Sequence, residues 1–366
     1  MSENGANKNS ELAMKALEIG LSSKILPISG RLCNVYGDTG DPFFDAMSPA
    51  HFHGLAPGGY GSFDNFCSKY LKPEYVMIDV GANIGITALI AGAYIAQGRI
   101  VAIDASPRNC AALEANLKCN GFDDAVVLPF AVGSAHGEFQ FQEAGAHGHV
   151  LTETIALGRV GITVPVRTID QIVEELDLPR VDFIKIDIEG FERDAVIGAE
   201  QTIRKWNPLF YIEFNSLCQI TVHNESPLRF YNFLLDKFKY VYRIDEDNLI
   251  ALDKEQGVLF VHDNILRRGC VEDVVASNCG ERLIEAPRYL EKRIERLELE
   301  QETLRIEHDA LRQERENLLA QPEFLIAECE KLRAERDRLA SKLERMKRSV
   351  YWRWVAPVRK LGKKMR

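Results

Sequence analysis

Apolar runs alternate with amphipathic stretches through the middle of the chain, and the alternation predicts parallel strands joined by crossover helices. VMIDV at 76–80 is apolar but for one acid, runs into Gly81, Asn83 and Gly85, and is followed by the helix-forming ITALIAGAYIAQ. That order reads as a buried strand, a tight glycine turn and a helix N-terminus. The pattern then continues through RIVAIDAS (99–106), the helix PRNCAALEANLKCNG, AVVLPFAVG (125–133), a hairpin-like GEFQFQEAG, and TVPVRTID with the helix QIVEELDL. VDFIKIDIEGFE (181–192), the helix RDAVIGAEQTIRKW and PLFYIEFN (208–215) complete it, and KYVYRID and GVLFVH are expected as antiparallel edge strands. Continuous apolar strands separated by helices indicate a doubly wound α/β sheet covered on both faces.

The flanks read differently. Residues 1 to about 23 are polar and weakly helical in pattern, and 24–75 hold short strands before the glycine- and proline-rich HFHGLAPGGYGS. A loop of that kind beside a ligand site often serves as a lid. Its His51 and His53 lack a carboxylate or third ligand and read as solvated loop side chains rather than a metal site. Beyond 281 the composition turns to Glu, Arg, Lys and Leu, with Leu290, Leu297, Leu304, Leu311, Leu318, Leu325, Leu332, Leu339 and Met346 spaced by sevens. The companion seam (Ile294, Gln301, His308, Arg315, Pro322, Cys329, Arg336, Leu343) is mostly polar. A weak, register-selective coiled coil broken near Pro322 is expected, able to support a homo-oligomer.

Charge sharpens the reading of the C-terminus. The chain of 366 residues has a formal net charge of −9, yet residues 345–366 carry nine basic and no acidic side chains. Tyr351, Trp352, Trp354 and Val355 interleave with them, the combination that binds an anionic lipid surface at about 1 kcal/mol per charge. The acidic body argues against nucleic acid as a partner. Eight scattered cysteines without a C-x-x-C pair fit a reducing compartment. No signal peptide or apolar run of membrane-spanning length is read, so the expected location is cytoplasmic, with peripheral attachment to the inner face of the membrane through the tail.

The glycine turn carries the first chemistry. Instead of a dinucleotide fingerprint it reads D-x-G-x-N-x-G: Asp79, Gly81, Asn83, Gly85. A carboxylate there opposes a pyrophosphate and favours a cationic ligand, which points to the sulfonium and amino group of S-adenosylmethionine. Asp104 ends the next strand, 23 residues beyond Gly81, where an acid holds ribose hydroxyls. Ser106 or Asn109 assists. The second constellation, IKIDIEGFE, gathers Lys185, Asp187, Glu189 and Glu192 at a strand end that opens into the same crevice, and Glu213 points there by topology. Asp187 is the first choice of general base, with Glu213, His147 and His149 as rivals. A Mg²⁺ ion held by Asp187 and Glu189 stays open, and the rival reading of Glu189 and Glu192 is that they only favour a helix N-terminus electrostatically.

DVGANIG at 79–85, IDASPRN at 103–109, VRTID at 166–170, DFIKIDIEGFE at 182–192 and the later IEF together resemble the FkbM family of S-adenosylmethionine-dependent methyltransferases, over roughly residues 70–262. Asp104 stands where that family usually has glutamate. The resemblance implies a class I, Rossmann-like methyltransferase sheet and O-methylation, commonly of sugar or natural-product hydroxyls. WRWVAPVRKLGKK looks like tails of bacterial polysaccharide-assembly enzymes, which suggests a glycan acceptor and such enzymes as partners through 281–366. The expected organisation is an N-terminal extension with a lid-like loop (1–70), the methyltransferase domain (71–280), the helical coiled coil (281–344) and the basic aromatic tail (345–366). An inert methyltransferase-fold adaptor working through coiled coil and tail is the rival reading. An NAD-dependent sugar dehydrogenase is disfavoured by Asp79 and Asn83.

Overall fold

The computed structural model describes residues 14, 16–52, 59–143, 148–150, 161–245, 248–283, 308, 312 and 325–348. The chain divides into two compact units, Met1–Ile284 and Glu285–Arg366.

The first unit opens with an antiparallel hairpin, β1 (Leu21–Ile28) and β2 (Arg31–Asp38), followed by the short α1 (Pro42–Ala46) and α2 (Gly61–Tyr70). The winding begins with β3 (Val76–Val80), α3 (Ile86–Gly92), β4 (Arg99–Asp104), α4 (Pro107–Cys119) and β5 (Val126–Pro129). Four strands then form a separate small sheet: β6 (Ala131–Val132), β7 (Gly137–Gln142), β8 (His149–Val150) and β9 (Ile162–Arg167). The chain returns through α5 (Ile169–Glu175), β10 (Phe183–Ile186), α6 (Glu192–Ile197), α7 (Glu200–Trp206) and β11 (Leu209–Asn215). It ends with α8 (Ser216–Thr221), α9 (Pro227–Lys237), β12 (Tyr240–Asp245), β13 (Asn248–Ala251), α10 (Gly257–Arg267) and β14 (Val271–Ser277).

The main sheet has the order β13-β12-β14-β11-β10-β3-β4-β5. Strands β11, β10, β3, β4 and β5 are parallel, and β14 runs antiparallel between β11 and β12. Chain order runs outward from β3 to β5 and then jumps back to β10, so β3 and β10 flank a topological switch point, where open α/β sheets bind ligands at the carboxyl ends of their strands. This is an α/β fold with a mixed sheet.

Alternation along the strands supplies both faces. Met77, Ala102, Phe183 and Tyr211 pack with the hairpin and α2–α4 in one buried cluster, while Ile78, Val101, Ile184 and Ile212 pack with α5–α7 and α9 in the other. Local signals set the helix starts. Ser106 accepts from Asn109 N at the start of α4 with Pro107 in its first turn, and Thr168 and Gln171 form a reciprocal capping box on α5.

Three expectations are corrected. GVLFVH is the start of α10, not an edge strand: Gly257, Phe260 and Asn264 are its buried residues, at helical spacing, while Val258, Leu259 and Leu266 face outward. The antiparallel partner of β12 toward the sheet centre is VEDVVAS, strand β14. AVVLPFAVG divides after Pro129, which has no N–H to continue the ladder, so β5 stays in the main sheet and β6 joins the small one. TVPVR belongs there too, as β9, antiparallel to β7.

In the second unit α11 (Leu325–Arg348) carries a narrow apolar stripe, with Leu332 buried and Leu339 and Leu343 half-buried among exposed neighbours. The heptad leucines from Leu290 to Leu318, Pro322, and the tail from 349 onward lie outside the described residues. No described helix is long and apolar enough to cross a membrane.

Candidate functional site

The turn after β3 is fixed by its neighbours. Gly81 adopts φ +76°, and a Cβ there would stand 1.8 Å from the Asp187 carbonyl oxygen, so only glycine lets β3 and β10 end this close together. Gly81 N and Ala82 N both donate to the Ile103 carbonyl at 2.9 Å. Asn83, at φ +50°, donates its N–H to Asp104 Oδ2 at 2.8 Å, while its own Oδ1 is buried without a hydrogen-bond partner. Asp104 Oδ1 accepts from Ser106 N at 2.9 Å and Asn109 Nδ2 at 3.1 Å. Three of the roughly four acceptor positions of that carboxylate are therefore filled, leaving about one for a ligand hydroxyl. Burial raises the Asp104 pKa against the opposing pull of these donors.

Between β3 and β10 lies an ion triad. Lys185, paired in register with Asp79, puts Nζ 3.6 Å from Asp79 Oδ1, 3.0 Å from Asp187 Oδ2 and 3.2 Å from the Gly81 carbonyl. Asp79 is fully buried and accepts from Thr87 Oγ1 at 2.7 Å. Burial opposes the Lys185 charge, but Asp187 and Asp79 outweigh it and hold the ammonium above its ordinary range. Burial likewise lifts Asp79, with Lys185 and Thr87 pulling it back.

After Ile186 the strand does not persist: Glu189 and Gly190 take φ +53° and +106°, so Lys185, Asp187 and Glu189 do not share one strand face. Glu189 Oε2 accepts from Asn215 Nδ2 at 3.2 Å and lies 2.9 Å from Cys218 Sγ. Glu192 turns back into the loop, accepting from Ile188 N and Gly190 N at 3.1 and 3.0 Å, and burial pushes its pKa up to about 7. Glu213 accepts from Asn215 Nδ2 at 3.3 Å and is pushed well above the carboxylate range by burial, then by Asp187 and Glu189.

Two cavities meet across these residues. One is a cleft under the small sheet, walled by Gly81, Asn83, Asp104, Phe130, Phe141 and Asp187. The other, about 630 Å³, is lined by Tyr60, Lys185, Asp187, Tyr211, Glu213 and Asp273 among others. A smaller space of about 170 Å³ touches Gly81, Asn83, Tyr60, Asp187 and Glu213 and so joins the two. Asp187, its side chain 36% exposed, borders all three.

Of the six residues expected to hold a cofactor, Gly81, Asn83 and Asp104 line the cleft. Asp79 faces Lys185 instead. Gly85 starts α3 at φ +91°, and Ser106 caps α4 and donates to Glu143 at 2.7 Å. Of the expected catalytic group, Asp187, Glu189 and Glu213 converge. His149 pairs with Gln142 across β7 and β8, but its side chain, like His147 and His53, lies outside the described residues. His51 is engaged locally by Ser48. Among the described residues no group of three or more His, Cys, Asp or Glu could hold a metal ion. Sequence reasoning missed Tyr60, Tyr211 and Asp273. Tyr211 donates to Asp273 at 2.6 Å, and Asp273, an acid amid the valines of VEDVVAS, has its pKa pushed up to about 6 by burial.

Residues 79–243 match the family model described as the methyltransferase FkbM domain. The chain is 24% identical over 186 residues to the 2-O-methyltransferase NoeI of Sinorhizobium fredii (strain NBRC 101917 / NGR234), covering 46% of this chain and 74% of that relative. Among solved structures, the methyltransferase FkbM from Methylobacillus flagellatus KT is similar at 17% identity and TM-score 0.36, over 56% of this chain and 44% of that one. The chain thus spans less than half the length of that protein. An O-methyltransferase from Bacillus cereus, solved in complex with SAH, is similar at 13% identity and TM-score 0.33, over 60% and 82% of the two chains.

Proposed function

We propose that the first unit is an S-adenosylmethionine-dependent O-methyltransferase acting on a sugar hydroxyl, in a bacterial cell-surface polysaccharide or lipid-linked glycan. The meeting of two cavities at Asp187 is the observation that carries this reading. The cleft suits the cofactor. Asp104 keeps an acceptor position for a ribose hydroxyl, Asn83 Oδ1 is a buried acceptor without a partner, and Phe130, Phe141 and Val150 offer an apolar wall to a purine ring. S-adenosylmethionine bound there supplies an electrophilic methyl group on a sulfonium. The Sinorhizobium relative is a 2-O-methyltransferase, which supports oxygen as the nucleophile.

A sugar hydroxyl is a weak nucleophile, so a positioned base contributes about 10²–10⁴-fold. Asp187 would fill that role, orienting the hydroxyl and accepting its proton as the methyl carbon passes from sulfur to oxygen and a neutral thioether leaves, while Lys185 at 3.0 Å keeps the carboxylate in place. Glu213 borders the same space. Calorimetry should show S-adenosylmethionine binding to the wild type and to Asp187→Asn, with labelled methyl transfer to a hexoside panel lost in the variant. Unchanged turnover would move the base to Glu213 or His149. No heat with the cofactor would leave the adaptor reading standing.

Residues 281–366 recruit the enzyme to an anionic surface on the cytoplasmic face of the membrane or to polysaccharide-assembly enzymes, an assignment that rests on their basic and aromatic composition. Deleting 345–366 should abolish sedimentation with anionic vesicles and spare cofactor binding. Equal sedimentation of the truncated chain refutes it.

A further inference from the structure

Helix α10 buries one face and leaves the opposite one apolar. Gly257, Phe260 and Asn264 are its buried residues, while Val258, Leu259 and Leu266 are 67–71% exposed and Ile265 is 39% exposed. With His262, also exposed, they form one stripe, at positions −4, −3, 0, +3 and +4 counted from the histidine. At 3.6 residues per turn all of them fall within about 60° of the His262 direction, symmetrically on either side, so the stripe reads the same from both ends. Single exposed apolar side chains are ordinary, whereas a contiguous apolar stripe marks a contact surface. We infer that this face docks against the same face of a second copy of the chain, the two helices antiparallel and the two-fold axis passing at His262.

A second copy fits the stripe in shape, charge and extent. An isologous interface needs a patch complementary to itself, and the symmetric stripe meets that condition. Val258 faces Leu266 of the partner subunit, Leu259 faces Ile265 of the partner subunit, and the two histidines meet at the axis, where a ring N–H of one can donate to a ring nitrogen of the other. The charges are self-complementary as well. Glu255 is exposed just before the start of α10, and Arg267 and Arg268 are exposed at and just beyond its end. Lys254 beside Glu255 is already paired with Asp236, and Arg267 reaches Asp263 of its own helix only at 3.4 Å. Antiparallel pairing therefore sets the acidic start of each helix against the basic end of the other, with the helix dipoles opposed. Helix α8, tied to α10 by the Ser216–Asn264 hydrogen bond, adds the exposed Leu217 and Ile220. Covering all of these on both copies removes roughly 1,000 Å² from water, the extent that specific interfaces clear. A lipid surface fits less well, because Glu255 and Asp263 flank the stripe where an interfacial helix carries bases.

The test uses the full chain carrying His262→Cys, a short bismaleimide, and peptide mass spectrometry to map the link between the two copies of position 262, with sedimentation velocity alongside. Helices packed face to face lie about 8–10 Å apart, within the reach of that reagent. The link should form, and the wild type should sediment as a dimer or a larger assembly. Leu259→Glu or Ile265→Lys, added singly, puts an unpaired charge into the apolar contact and should weaken association at least roughly tenfold, with a matching fall in the yield of the link. The two together should restore the yield, because the two-fold axis sets each new acid opposite a new base on the other copy. Both positions are exposed in the single chain, so the variants should melt with the wild type. Association through residues 281–344 does not imitate this outcome, since the link requires the α10 faces to meet and the rescue requires their antiparallel register. A monomeric chain, no link at 262, a yield indifferent to the single substitutions, or a double variant no better than either single one overturns the inference. Loss of sedimentation with anionic vesicles in Leu259→Glu, without the link, assigns the face to lipid and overturns it equally.

Discussion

Removing the Lys185 ammonium should unbalance the centre of the sheet. Lys185 is 5% exposed, and it is the cation facing Asp79, which is fully buried and whose Oδ1 has no hydrogen bond, only the ion pair at 3.6 Å. Lys185→Met keeps most of the buried chain volume and deletes the charge, so its cost is that of an uncompensated buried carboxylate, about 3–5 kcal/mol. For a unit of this size that lowers the melting temperature by about 6–20 °C, at roughly 2–4 °C per kcal/mol. The loss has a pH signature. Burial already raises Asp79 above its ordinary pKa while Lys185 pulls it down, so in the variant the folded state binds the Asp79 proton more tightly still than the unfolded chain does. A carboxyl with a raised folded pKa gives stability that is present at low pH and lost as pH rises through the folded value. The deficit of Lys185→Met should therefore be small near pH 5 and large near pH 8. Adding Asp79→Asn, which removes the stranded charge, should restore at least about 1 kcal/mol as a coupling energy. Urea unfolding of the four proteins of the cycle across that pH range checks all three parts. A single variant that melts with the wild type, or a deficit that neither varies with pH nor responds to Asp79→Asn, refutes the assignment of Lys185 as the counter-charge.

Two glycines with nearly the same backbone angle should behave differently. Gly81→Ala drives a Cβ to 1.8 Å from the Asp187 carbonyl at φ +76°, and more than about 3 kcal/mol of stability should be lost, whereas Gly30→Ala at φ +77° meets nothing within 4 Å and should cost only about 1 kcal/mol. Thermal melts of the two variants separate the clash from the backbone strain, and equal losses would count against the close approach of β3 and β10. Glu192 is buried with a pKa raised to about 7 from an ordinary value of 4.5. Its stabilising protonation is complete below about pH 4.5 and is lost as pH rises through 7, a change of about 3 kcal/mol. Glu192→Gln, with an amide oxygen still able to accept from Ile188 and Gly190, should flatten the stability profile between pH 5 and 8, and an unaltered slope would show that Glu192 is not its source.

What could be read from the chain before its fold is bounded by sequence distance. VMIDVGANIG contains its own strand, its turn and the glycines that the turn angles require, so Gly81 and Asn83 in the turn and Asp104 at the end of the next strand were legible, whereas the Asn83 N–H that donates to Asp104 was not. Nor was the role of Asp79. In the local pattern it is an acid before a glycine turn, which suggests a ligand contact, but its partner is a lysine 106 positions later, brought alongside by the parallel register of β3 with β10. Asp273 was further out of reach, because it enters the site only through β14, which inserts antiparallel between β11 and β12, an order that no local signal encodes. GVLFVH misled for the complementary reason. Its β-branched residues favour a strand, and only the burial of Gly257, Phe260 and Asn264 against the neighbouring helices makes helical spacing the better solution. The two long-range acids also divide the labour of the site. Asp79 is sealed behind Lys185 and can act only by fixing where Asp187 stands, whereas Asp273 borders the open cavity and meets whatever enters it. A change at Asp79 should therefore register first in stability, and a change at Asp273 in the choice of acceptor.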